Sequence, residues 1–121
     1  MTARRRDTAA QSAGDRGEHR AAQFLERHGL RIVGRNYRTR MGEIDLIARD
    51  GAVLVFVEVR MRTAARFGGG AESVDSGKRS RLVAAARHYL MRLGREPACR
   101  FDVVSLERDA PTWIKAAFEA L

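Results

Sequence analysis

The chain lacks several features on which secreted and membrane proteins depend. It has a single cysteine, Cys99, so it cannot form an internal disulfide, and a reducing cytoplasm is the expected compartment. The longest apolar run, Ala52 to Val57, is far too short to cross a bilayer. No apolar stretch follows the basic N-terminus, so we expect no secretory signal. Without a partner for a disulfide, Cys99 is expected in the core.

Acidic residues are also in short supply relative to basic ones. The chain has 23 Lys and Arg against 15 Asp and Glu, which gives a net charge of +8 and a pI near 11.1. Only Lys78 and Lys115 are lysines, and a GC-rich coding sequence would explain that preference for arginine but not the basic excess. The charge favours a polyanionic partner, with nucleic acid ahead of a membrane surface because no basic amphipathic helix carries large apolar anchors.

A length of 121 residues allows one domain with one modest core. Residues 1–13 are polar and basic and are predicted to form a disordered arm, followed by a single domain over 14–121. Asp15 and Glu18 have the spacing of a helix capping box, and Gly29 suits the end of that helix. The strand predicted next, over 30–38, contains Gly34, which can mark a bulge.

The rest of the chain alternates strand and helix patterns. Asp50-Gly51 predicts a two-residue hairpin turn, and a helix long enough for a crossover makes part of the sheet parallel. The fold class is therefore α/β, a mixed four- to five-stranded sheet flanked by helices in the order α-β-β-β-α-β. The predicted elements are strands at 43–49, 52–62 and 100–107, a glycine-containing loop at 63–73, a helix at 74–93, and a tail at 112–118 that fits strand or helix.

Acidic side chains stand inside two of the apolar strands, where an uncompensated charge is costly. Glu43 and Asp45 share one face of their strand, and Glu58 lies on the strand across the hairpin. Counted from the turn, Asp45 and Glu58 are not level, and a bulge or one extra loop residue would align them. Such carboxylates can hold Mg²⁺ or Mn²⁺, and a cross-strand salt bridge explains the pattern equally well.

Three segments together carry a resemblance to a known family. They are Gly42-Glu43-Ile44-Asp45-Leu46-Ile47, Val55-Phe56-Val57-Glu58-Val59-Arg60-Met61-Arg62 and Phe101-Asp102-Val103-Val104. With them, residues 14–118 resemble the YraN family of small bacterial proteins, which are similar in pattern to PD-(D/E)XK nucleases such as Holliday-junction resolvases and restriction enzymes. The resemblance implies a restriction-endonuclease-like fold with a mixed four-stranded core sheet.

The resemblance also implies roles for individual residues. Asp45 and Glu58 would bind the metal, joined by the Val59 carbonyl, and Glu18 matches an extra acidic ligand of resolvase-like members. Glu18 has a plain alternative as the partner of an Asp15 cap, and Glu43 is a further assisting carboxylate. Arg60 occupies the position of the usual catalytic lysine. Arginine can stabilise negative charge there, but it cannot act as a base.

Three functions remain open on these grounds. The first is a Mg²⁺- or Mn²⁺-dependent endonuclease that acts on DNA, with Asp45, Glu58 and Arg60 as its catalytic residues. The second is a catalytically inactive nucleic-acid-binding module on the same fold, which Arg60 favours. The third is a protein-interaction role. Cleavage of DNA junctions would favour a homodimer with two active sites.

Several cations are candidate phosphate contacts. Lys78 lies one turn before Leu82 on the apolar face of its helix, so it either reaches the site or is a surface lysine with a buried stem. The nucleic-acid-binding candidates are Arg40, Arg62, Lys78 and Arg81, and Arg66 and Arg79 are further candidate phosphate contacts.

Overall fold

The computed structural model describes residues 9–61, 76–108 and 110–119, and their side chains from residue 15 onward. Loop 63–73, Arg62 and Arg66 therefore lie outside the described residues. The described elements are helix α1 (Ala9–Arg27), strands β1 (Arg31–Arg38), β2 (Glu43–Asp50) and β3 (Val53–Met61), helix α2 (Ser76–Leu93), and strands β4 (Cys99–Leu106) and β5 (Pro111–Phe118).

The strands form one mixed sheet in the order β1-β2-β3-β4-β5. The β3–β4 pair is parallel because α2 is the crossover between them, and the other pairs are antiparallel. The predicted α/β class and the order of its elements are confirmed, and the architecture is consistent with a restriction-endonuclease-like fold. The ambiguous tail is the fifth strand, and the bulge expected near Gly34 lies between Ile32 and Gly34.

Each face of the sheet is covered by one helix. On one face α1 packs through its buried stripe of Ala21, Ala22 and Leu25. On the other face α2 buries Leu82 and Ala86 against the sheet. The central strand β3 is buried from 54 to 58, so both faces contribute to the core, as its continuous apolar pattern predicts.

Helix α1 begins earlier than the sequence suggested. It starts at Ala9, inside the segment assigned to a disordered arm, so Asp15 lies within the helix and is not its N-cap. The capping-box interpretation of Glu18 is therefore wrong. The helix places Glu18 one turn before Ala21 and Ala22, on the side that faces the sheet, which leaves its carboxyl group available to the site.

The turn between β2 and β3 is displaced by one residue from the prediction. Asp50 pairs with Val53, so the two turn residues are Gly51 and Ala52 rather than Asp50 and Gly51. Gly51 has a φ of 62°, the positive value that a type II′ turn requires at its first central position. This displacement has a consequence for the site: Asp45 lies five residues before Asp50, and Glu58 lies five after Val53.

Two further observations complete the fold. Cys99 is exposed at the start of β4, so its predicted place in the core is wrong. Of the helices in the described ranges, neither is apolar over a stretch long enough to cross a membrane.

Candidate functional site

The site lies where β2 and β3 separate. The ladder between these strands ends at the pair Leu46–Val57, one position before Asp45 and Glu58 would face each other. Asp45 fills the gap with its side chain, since its Oδ2 accepts a hydrogen bond of 2.8 Å from the Val59 backbone N–H. The alternation of side chains between the two faces of the sheet is also interrupted here. Ile44 and Ile47 both pack on the α2 side, whereas regular alternation would place residues three apart on opposite faces.

Three carboxyl groups converge at this separation. Glu18 of α1 and Glu58 of β3 each share a hydrogen bond with Asp45, which lies between them. All three line a cavity of about 310 Å³ that is bounded by both helices and the β1–β2 turn. The one-residue displacement of the hairpin turn is what brings Asp45 and Glu58 level, so the alignment that sequence spacing left open is achieved.

Burial makes this cluster electrostatically unfavourable. Desolvation, the Glu58 charge and the Glu18 charge raise the pKa of Asp45 to about 8, although the Val59 N–H opposes the shift. Burial also raises the pKa of Glu18, opposed by its hydrogen bonds to Asn36 and Asp45. At neutral pH a proton at Asp45 therefore compensates the negative charge of the cluster. A bound cation would compensate that charge in place of the proton.

Two cations reach the Glu58 carboxylate. Lys78 Nζ, on the first turn of α2, lies 2.5 Å from Glu58 Oε2, and Arg60 Nη1 lies 3.7 Å from the same oxygen. Of the two interpretations of Lys78, the structure favours the one in which it leans toward the sheet. These ion pairs are not the cross-strand salt bridge expected as the alternative to a metal, because Arg60 lies on the same strand as Glu58 and Lys78 lies on α2.

The other predicted residues have varied positions. Glu43 lines the cavity but is exposed and pairs with Arg38, whose Nε lies 3.2 Å from its Oε2. Arg81 also lines the cavity. Arg40 lies in the β1–β2 turn and lines a second cavity beside the first. The site therefore gathers Glu18, Asp45, Glu58, Arg60, Lys78 and Arg81, with Glu43 at its rim.

The donor set suits a hydrated Mg²⁺ or Mn²⁺ better than a closed metal cage. Within residues 9–61, 76–108 and 110–119, no group of three or more His, Cys, Asp or Glu side chains is arranged to hold a metal ion. Mg²⁺ keeps several waters and commonly needs only one or two carboxylates. Asp45 and Glu58 can supply those oxygens, and the cavity has room for the waters.

Sequence reasoning missed the backbone contact that closes one wall of the cavity. Gly42 approaches the Arg81 carbonyl of α2 so closely that a Cβ atom there would overlap it. Glycine at this position therefore sets the distance between the β1–β2 turn and α2. The sequence carries a glycine in front of Glu43, but only the position of α2 explains why it is needed.

Sequence reasoning also gave no role to Asp102, a fully buried carboxylate on β4. Its oxygens accept hydrogen bonds from the Arg100 side chain, the Trp113 indole and the Ala116 backbone N–H. Arg100 also donates to Asp50 at 2.9 Å. The three partners of Asp102 close the centre, so Asp102 stabilises the fold rather than facing a cavity.

The fold and the site together define a class: a mixed α/β sheet, consistent with restriction-endonuclease-like proteins, with carboxylates where two antiparallel strands separate. The family model described as "Uncharacterised protein family UPF0102" matches residues 17–106, and this chain belongs to that family. The YraN resemblance seen in the sequence motifs is thereby confirmed, because UPF0102 is the YraN family.

Similar proteins cover nearly the whole chain. A UPF0102 protein of Dechloromonas aromatica (strain RCB) is 52% identical over 121 residues, covering 99% of this chain and 98% of its own length. A UPF0102 protein of Janthinobacterium sp. (strain Marseille) is 49% identical over 113 residues, with 93% and 92% covered. One of Albidiferax ferrireducens is 53% identical over 116 residues, with 92% and 90% covered.

Proposed function

We propose that this protein binds DNA and hydrolyses its phosphodiester bonds with Mg²⁺ or Mn²⁺ held by Asp45 and Glu58. The observation that carries the proposal is the gathering of Glu18, Asp45 and Glu58 at a strand separation, beside two cations. Asp45 retains a raised pKa despite those cations, so the centre has an unmet demand for positive charge. Glu18 assists from α1, and Glu43 is at the rim.

Bound there, the metal would supply an activated water and would stabilise charge on the phosphate. The chain's own cations provide the remaining stabilisation. Arg60 presents a permanent charge to the phosphate oxygens. Lys78 reaches Glu58 from α2 and brings a compact ammonium group to the side of the cavity, which suits it to orient the attacking water. Lys78 thus provides the charge that a lysine at position 60 would otherwise provide.

The charge of the whole chain supports DNA as the substrate. The net charge of +8 favours a polyanion, and Arg81 and Arg40 lie in or beside the cavity. Phosphate contacts of this kind give affinity without sequence preference. DNA binding should therefore weaken steeply as salt rises.

A second function is favoured by a specific observation. Lys78 and Arg60 already compensate Glu58, so the centre could persist without a metal as part of a non-catalytic nucleic-acid-binding module. Such a module would bind DNA with the same salt dependence but would not cut it in either metal. The two functions share the binding surface and differ only in the use of Asp45.

A cleavage assay separates the two. Duplex, single-stranded, flap and four-way DNA are incubated with the protein in Mg²⁺ or Mn²⁺, beside the Asp45→Asn and Lys78→Met variants. We expect cleavage of at least one substrate, its loss in Asp45→Asn by about 10²-fold or more, and a smaller loss in Lys78→Met. Glu26→Gln, which removes an exposed acid on α1, is the matched control and should cut like the wild type.

The outcomes are distinct. Cleavage that survives Asp45→Asn would show that the site is assigned wrongly. Salt-dependent binding without cleavage in any substrate would favour the binding module. Absence of binding at low salt would overturn both functions and favour a protein partner. If four-way DNA is the preferred substrate, the stoichiometry of the complex should be two chains per junction, as a homodimer requires.

A further inference from the structure

The turn between β1 and β2 is unusually well held for an exposed loop. Thr39 Oγ1 accepts hydrogen bonds from the N–H groups of Met41 and Gly42 at 3.1 and 3.0 Å. Thr39 also donates to the Gly42 carbonyl through its hydroxyl and its own N–H, at 2.9 and 2.8 Å. Gly42 in turn contacts the backbone of Arg81 on α2. The turn is therefore fixed both internally and to the body of the domain.

This rigid turn exposes an apolar side chain beside the acidic cavity. Met41 is 52% exposed, and its neighbour Arg40 is also exposed. Single exposed apolar residues are common on protein surfaces and need no explanation by themselves. What distinguishes Met41 is its place on a fixed turn whose next residue, Gly42, lines the acidic cavity.

A second cavity is lined by other residues of the same turn. It has a volume of about 490 Å³ and is lined by Arg38, Thr39, Arg40, Met41 and His88. His88 is held in place by a hydrogen bond of 2.6 Å between its Nδ1 and the Tyr37 hydroxyl. The turn thus contributes residues to both an acidic cavity, through Gly42, and a cavity lined by arginine and histidine, through Arg40 and Met41.

We propose that Met41 is a wedge that enters between two stacked base pairs of bound DNA, next to the bond positioned at Asp45. Apolar side chains, methionine among them, unstack base steps in this way in proteins that bend DNA. A wedge must be rigid to do so, and the Thr39 hydrogen bonds supply that rigidity. Arg40 then contacts the phosphate that flanks the opened step. This inference rests on the proposed DNA function and adds how the DNA is distorted.

The wedge also predicts the structure of the preferred substrate. Unstacking is least costly where stacking is already broken, as at a mismatch, a flap or a junction. DNA with such a feature should therefore bind more tightly than a perfect duplex of equal length. Removal of Met41 should reduce that preference while leaving the electrostatic part of the affinity in place.

Unstacking is measured with the fluorescent adenine analogue 2-aminopurine, placed in duplexes and junctions that are titrated with the full chain in EDTA to prevent cleavage. The variants are Met41→Ala, Met41→Leu and Met91→Ala. Met91, on α2, is 81% exposed and serves as the matched control, since it is outside both cavities. Affinity is measured by anisotropy on the same samples, over a range of salt concentrations.

The wild type, Met41→Leu and Met91→Ala should raise the fluorescence on binding, whereas Met41→Ala should lose most of the rise. Met41→Ala should keep its affinity for perfect duplex within about twofold, because phosphate contacts supply that affinity. A full rise in Met41→Ala, or binding by the wild type without any rise, would overturn the wedge and leave DNA binding intact. Failure of the wild type to bind DNA would overturn the proposed function and the wedge together.

Discussion

Two carboxylates of the same sheet, the half-buried Asp45 on β2 and the fully buried Asp102 on β4, have opposite environments. Asp102 has no exposed surface, and every hydrogen bond it accepts comes from an ordered donor: Arg100, Trp113 and the Ala116 N–H. Asp45 accepts one backbone hydrogen bond, from Val59, and is otherwise surrounded by acids and a cavity. The Asp102 centre is closed, because donors of the fold surround it, and the Asp45 centre is open, because it faces the cavity.

The difference between the two centres lies in which carboxylate the neighbouring cations compensate. Around Asp102 the compensating charge comes from Arg100, whose guanidinium also bonds Asp50. Burial opposes that charge, but the hydrogen bonds to Asp102 and Asp50 raise the pKa of Arg100 above its usual value. Around Asp45 the cations pair with Glu58 instead, so the carboxyl at the centre keeps its proton. An open, uncompensated carboxyl is what a metal or a substrate can use.

The same chemical change at both centres should have opposite effects on stability. Asp102→Asn leaves Arg100 without its buried charge partner, and we expect it to lower the free energy of unfolding by about 3 kcal/mol or more. Urea unfolding at pH 7 measures the change. Should Asp102→Asn cost less than about 1 kcal/mol, the closed centre would contribute little and the comparison would fail.

Gly42→Ala tests the wall of the open centre. The new Cβ would overlap the Arg81 carbonyl, so the turn and α2 must move apart. We expect a loss of about 1–3 kcal/mol in the free energy of unfolding, together with weaker cleavage. Gly34→Ala is the matched control, because a Cβ there makes only ordinary contacts with Ile47. Equal effects of the two variants would contradict the role given to Gly42.

Asp45→Asn mimics the protonated acid and removes the charge that burial disfavours. At pH 8 we expect this variant to be as stable as the wild type or more stable, by about 1 kcal/mol, and to lack the proposed DNA cleavage. Urea unfolding of Asp45→Asn and Asp102→Asn under the same conditions gives the comparison directly. A large loss of stability in Asp45→Asn would mean that the carboxylate is structural after all.

The pH dependence of stability should follow from the same proton. The ordinary pKa of this acid is 3.8 and the folded value is about 8, so between these values the folded state binds the extra proton. Stability therefore falls as pH rises through this window and levels off above about 8. Asp45→Asn should flatten that fall, measured by urea unfolding at pH 5 and pH 8. If the pH dependence of stability were the same in Asp45→Asn as in the wild type, Asp45 would not titrate between pH 5 and pH 8.

The sequence was informative about the open centre and nearly silent about the closed one. Alternation within two apolar strands predicted that Asp45 and Glu58 lie within reach of each other across one hairpin, but it left open whether they are level. It misplaced the turn by one residue, since Asp50-Gly51 is a stronger local signal than Gly51-Ala52 and only the ladder shows which is used. Asp102 could not be assigned because Trp113 and Ala116 lie on a strand whose pattern was ambiguous.

The remaining features could not be predicted from the sequence because they depend on contacts between distant segments. Lys78 reaches Glu58 through the crossover of α2, and helical spacing alone allowed both a buried stem and a contact with the site. The capping box at Asp15 failed because the helix continues through it from Ala9. Local signals thus placed the strands well, whereas the helix start and the side chains that reach across the domain needed the tertiary structure.

The central claim is that Asp45 is an open, cation-demanding centre, and Mn²⁺ binding tests it most directly. The wild type, Asp45→Asn and the exposed-acid control Glu26→Gln are titrated with Mn²⁺ at pH 7, with the free ion followed by electron paramagnetic resonance and released protons by a pH indicator. The wild type and the control should bind about one Mn²⁺ per chain with proton release, and Asp45→Asn should do neither. Binding by Asp45→Asn as tight as that of the wild type, or no binding by the wild type, would contradict the account.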